Sequence, residues 1–88
     1  MPALALVTPE QLRKIVEADG FKVVFEDQYN WWFARTVLDV PFNIPKQAGE
    51  DGNVSFAVME NVLFEAHIDD HRYFALKEIV FGEKKLPN

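Results

Sequence analysis

The chain has no cysteine among its 88 residues. That excludes a disulfide framework, thiol catalysis and cysteine-ligated zinc, and it fits a reducing, cytoplasmic setting. No apolar run approaches the roughly 18 residues that a membrane-spanning helix needs. The opening stretch Met1 to Val7 is apolar but too short for a signal peptide, and it lacks a basic lead and a small-residue cleavage site. It reads as part of the fold, in the manner of an edge strand. Basic residues are missing where acids gather. From Gln47 to His71 there are six carboxylates (Glu50, Asp51, Glu60, Glu65, Asp69, Asp70) and no Lys or Arg. The rest of the chain carries eight acids against nine bases, so the net charge of −5 is concentrated in the middle. An acidic surface of this kind argues against nucleic acid as a partner, because phosphate recognition rests on basic side chains.

Apolar residues are plentiful, at 49% with eight Phe, two Trp and two Tyr. Aromatics bury much area per residue, which suits a chain too short to build a large core. The length allows one domain, residues 1–88, with the polar stretch 83–88 expected to fray.

Local signals place the elements. Thr8-Pro9-Glu10-Gln11 is a helix start: an N-cap hydroxyl, proline at the first helical position and a capping-box glutamine. Val7 and Leu12 form a hydrophobic staple, Leu12, Ile15 and Val16 an inward stripe, and Gly20 a stop. Phe21 to Glu26 alternates as a strand with Phe21, Val23 and Phe25 on one face. Asp27 to Asn30 is a turn by composition, and Trp31 to Val40 reads as a second extended run. In that run Trp32, Ala34, Leu38 and Val40 share a face. A break near Arg35-Thr36 would split it and give a three-stranded meander. Pro41 and Pro45 are expected to end regular pairing, and Lys46 to Asn53, with two glycines, to form a mobile loop.

Asn53 to Ile68 fits either a helix striped by Phe56, Met59, Leu63 and Ala66 and widened by Val58 and Val62, or a hairpin turning at Glu60-Asn61. The length without Gly or Pro favours the helix. Asp69 or Asp70 then caps a last helix with Tyr73, Leu76 and Val80 inward and Gly82 ending it. The predicted class is α+β: an N-terminal helix, a two- or three-stranded antiparallel sheet, then one or two helices.

Two stretches carry a resemblance. Ala18 to Val24 is one. The other runs from Asp39-Val40-Pro41 through Pro45-Lys46 to Val54-Ser55-Phe56 and Val62-Leu63. Together with the element order over residues 8–68, this is similar to the HicA-type (YcfA-like) toxin family, small ribonucleases with a double-stranded-RNA-binding-like fold. The resemblance implies that fold, and implies a diverged mRNA interferase of a toxin–antitoxin pair as an alternative function. The family places Gly-Ser-His, with a catalytic His, at the start of the second strand. Here Gln28-Tyr29-Asn30 stands there, and an amide cannot take a proton as a neutral imidazole does.

Other chemistry is sparse. His67 and His71 share a helical face only if one helix runs through both, and Asp69-Asp70 reads as a cap between them. Glu60, Glu65 and Asp69 lack any nucleophile or apolar pocket to work with and read as a solvated acidic face. No catalytic residue, metal or cofactor is therefore assigned. The adjacent Trp31 and Trp32 must point to opposite sides of a strand. One side, with Tyr29 or Phe33 near, would anchor a partner, since Trp and Tyr dominate interface hot spots. The functional expectation is a non-enzymatic interaction domain that binds a protein partner or forms a homodimer. Tyr29, Trp31, Trp32 and Phe33 would supply affinity, and Glu50, Asp51, Glu60 and Glu65 would steer a basic partner. One version is an inhibitor covering the basic surface of a nucleic-acid-binding protein.

Overall fold

A computed structural model describes residues 6–82. Of the expected edge strand, residues 1–5 lie outside it, as does the expected frayed tail 83–88. The elements are α1 (Pro9–Ala18), β1 (Lys22–Glu26), β2 (Asn30–Ala34), β3 (Phe42–Pro45), α2 (Phe56–Glu65) and α3 (Asp70–Phe81). The strands form an antiparallel meander in the order β1-β2-β3. This is the predicted α+β class in its three-stranded, three-helix form.

The helix ends follow the local chemistry. The Thr8 hydroxyl accepts from Gln11 N at 3.1 Å, and the Gln11 side chain accepts from Thr8 N at 2.9 Å. The whole capping box is present. Asp69 caps α3, its carboxylate accepting from Arg72 N at 2.8 Å, and Gly82 ends it in the left-handed region. Both α1 and α2 end in Schellman motifs. At α1, Gly20 N donates to Glu17 O and Phe21 N to Val16 O. At α2, His67 N donates to Phe64 O and Ile68 N to Leu63 O, and Ile68 and Leu63 are both buried. Gly20 has φ +102°, as the motif favours, whereas the equivalent place after α2 holds His67 at φ +58°.

Helices α1 and α2 pack against the sheet, and α3 packs on α1. Leu12, Ile15 and Val16 of α1, Met59, Val62 and Leu63 of α2, and Tyr73 and Leu76 of α3 join Trp31, Phe33, Phe42 and Ile44 in one core. The register fixes these faces: Trp31 lies opposite Ile44, and Phe33 opposite Phe42 and Val23. The other side of the sheet carries the row Phe25, Trp32 and Asn43.

Four local expectations are corrected. A β-bulge between Val23 and Phe25 breaks the alternation of β1, so Phe25 pairs with Trp32 and turns outward. The run after Ala34 is not extended. Thr36 and Asp39 close a turn in which Asp39 Oδ2 accepts from Thr36 N at 3.0 Å and Thr36 Oγ1 accepts from Leu38 N at 3.1 Å. Leu38 and Val40 therefore leave the sheet, and the inward residues of β2 are Trp31 and Phe33. The third strand begins after Pro41 and contains Pro45. A proline is tolerated there because β3 is an edge strand. Finally, the ambiguous stretch 53–68 holds the helix Phe56–Glu65 rather than a hairpin, but the residues it buries, with its C-cap, are Met59, Val62, Leu63 and Ala66, and Phe56 in its first turn faces solvent.

Candidate functional site

The aromatic and acidic residues singled out in the sequence fall on different parts of the molecule. Trp31 and Phe33 are buried in the core. Trp31 is further covered by the Arg13 guanidinium at 5.0 Å and the Lys46 ammonium at 5.8 Å from its ring centre. Trp32 is half-buried on the outer sheet face, and Tyr29 is exposed in the hairpin turn. That turn is tightly made: Asp27 Oδ1 accepts from Tyr29 N at 2.9 Å and Asn30 N at 2.8 Å. These two donors hold the Asp27 carboxyl below its usual range. The nearby Trp32 indole N–H adds to the effect, but it falls short of hydrogen-bond geometry and is otherwise shielded from solvent. Glu26 is lowered by its hydrogen bond and charge pairing with Lys46. Asn30 opens β2, and its amide oxygen accepts from Asn43 Nδ2 at 2.9 Å.

The acids sit in the helical layer. Glu50 and Asp51 occupy the loop before α2, where Asp51 Oδ1 accepts from Asn53 N at 3.1 Å. Glu60 is on the solvent side of α2 and Glu65 in its last turn. Among the described residues the ion pairs are Arg13–Glu17, Arg35–Asp19, Arg72–Asp19 and Lys46–Glu26. Every acceptor belongs to the α1–β1 half. None of the six carboxylates between Gln47 and His71 enters an ion pair among the described residues.

The structure supplies apolar neighbours for these acids that the sequence reading did not find. Phe56 and Phe64 flank Glu60 at four-residue spacing on the solvent side of α2, and Phe64 is 75% exposed. Beyond the end of β2, the turn presents Val37, Leu38 and Val40 at 87%, 91% and 92% exposure. Helical periodicity could have flagged Phe56 and Phe64 as one ridge, but nothing local marked the aliphatic turn.

Between that turn and the end of α2 lies a groove of about 430 Å³. Phe21, Phe33, Ala34, Phe42 and Ala66 line it. Asp39 and Val40 of the turn and Glu65 and His67 at the end of α2 also line it. Arg35 also borders it, but its guanidinium lies 4.1 Å from the Phe21 ring centre and is bound to Asp19 through a side-chain contact of 2.9 Å. Asp19 in turn holds Arg72 at 2.8 Å, tying the root of the turn and the start of α3 to the end of α1. His67 and His71 are separated by the break at Ile68-Asp69, and no metal-binding cluster of His, Asp or Glu occurs among the described residues.

No family model, curated protein or solved structure matches this chain.

Proposed function

We propose that this domain is a non-enzymatic interaction module that binds a basic protein partner through its α2 side. The observation that carries the reading is the set of carboxylates without ion-pair partners among the described residues, beside exposed apolar side chains: Glu60 between Phe56 and Phe64, and Glu65 lining one groove with Val40. Exposed aromatic and aliphatic anchors supply contact area, while unpaired charge sets the encounter rate and the choice of partner. The basic surface of a nucleic-acid-binding protein is one such partner, and covering it would inhibit that protein.

The test is the affinity of a partner recovered from the native host, measured at low and at physiological salt. The expected partner is basic. Its affinity should fall about tenfold or more across the salt range, since separated exposed charges are screened within roughly 8–10 Å. Phe64→Ala should weaken it, whereas Phe25→Ala on the opposite sheet face should not. A salt-independent complex indifferent to Phe64→Ala overturns the reading.

A further inference from the structure

The groove beside the end of α2 is lined by acidic side chains and by the end of the helix itself. The carbonyl end of a helix carries partial negative charge and is ordinarily met by a basic residue. The last turn of α2 has none and instead holds Glu65. Asp39 lines the same groove, with Oδ2 engaged by Thr36 N and no ion pair among the described residues. The one guanidinium at hand, Arg35, is committed to Asp19 and stacked on Phe21. Two carboxylates and a helix C-terminus thus border a space also lined by Phe21, Phe33 and Phe42 and large enough for a long side chain.

We propose that this groove receives an arginine side chain of the partner. The inference rests on the basic-partner reading above and specifies its anchor. The arginine stem would lie between Val40 and the edge of Phe21. The planar head would meet Glu65 and Asp39, a geometry that suits a forked donor better than an ammonium.

Two probes separate this anchor from the general reading: a blocked hexa-arginine peptide and N-acetyl-arginine amide, each followed by amide chemical shifts. The Glu65→Gln Asp39→Asn double variant preserves the acceptor that closes the turn, and its unperturbed spectrum away from the groove confirms folding. The peptide is expected to shift Val40, Ala66 and His67, and the double variant to bind it about tenfold more weakly. The single amino-acid amide should shift the same residues, and its uncharged citrulline analogue should not. Peptide binding that shifts only the Phe56–Phe64 ridge and is unchanged in the double variant overturns the anchor and leaves the basic-partner reading standing. Absence of peptide binding even at low salt overturns both.

Discussion

His67→Gly should make the protein more stable. The two Schellman motifs form an internal comparison: one places Gly20 at the left-handed position and the other places His67 there at φ +58°. A side chain with a β-carbon costs roughly 1–2 kcal/mol in that region. Glycine gives back some of the gain through the greater freedom of its unfolded chain, about 0.7 kcal/mol. A cost near the middle of the first range leaves about 0.8 kcal/mol in favour of the variant. For a domain of this size that corresponds to a rise in melting temperature of about 3–6 °C. Thermal melts followed by circular dichroism, with urea titration as a second measure, would read it. His67→Ala removes the imidazole without relieving the backbone and should give no gain. Gly20→Ala should go the other way, losing about 2 kcal/mol. Its φ is +102°, and a β-carbon there would lie 2.6 Å from Arg35 Nη1, pushing that side chain off Asp19 and Phe21. A His67→Gly protein that melts at or below the wild-type temperature would refute the reasoning.

Thr8→Ala removes the hydroxyl half of the capping box and should destabilise the domain by about 1 kcal/mol, visible as a drop of about 4–8 °C in the same melts. Asp27 and Glu26 have carboxyls lowered in the folded state, by backbone N–H donors and by Lys46 respectively. Their contribution is therefore complete above the ordinary carboxylate range of about pH 4 and disappears as pH falls through the lower folded values. Melts from neutral pH downward should show a shallower acid loss in Asp27→Asn than in the wild type. A Val37→Ser Leu38→Ser double variant should melt within a few degrees of the wild type, because both side chains are almost fully exposed. It should nonetheless bind a recovered partner about tenfold more weakly in calorimetry.

The parts of the fold that were legible in the sequence are those set by neighbours along the chain. Thr8, Gln11, Gly20, Asp69 and Gly82 mark helix ends because each satisfies or frees backbone groups within a few residues of itself. The places that resisted reading depend on contacts across the molecule. Leu38 and Val40 look like inward strand residues until Thr36 and Asp39 close a turn that carries them into solvent. Val24 looks like an ordinary strand residue until the register skips it. For α2, the apolar residues outnumber the places on one face, so periodicity alone did not decide between Phe56 and Val62 for the core. The same limit applied to the candidate site. The concentration of acid was visible as a count, but which carboxylates are paired among the described residues depends on where Arg13, Arg35, Lys46 and Arg72 find their partners.

The bulge in β1 and the proline in β3 also constrain how any other chain can attach. Among the described residues β1 and β3 are the margins of the meander, and an open margin invites a foreign strand to extend the hydrogen-bond ladder. At one margin the misfit at Val24 throws the donor–acceptor spacing out of step, and Lys22 and Glu26 put charge at the two ends. At the other, Pro45 has no N–H to offer. Neither margin is a good template, so a partner of the kind proposed would have to be held through side chains. Specificity would then be rewritten by changing surface residues without rebuilding the sheet.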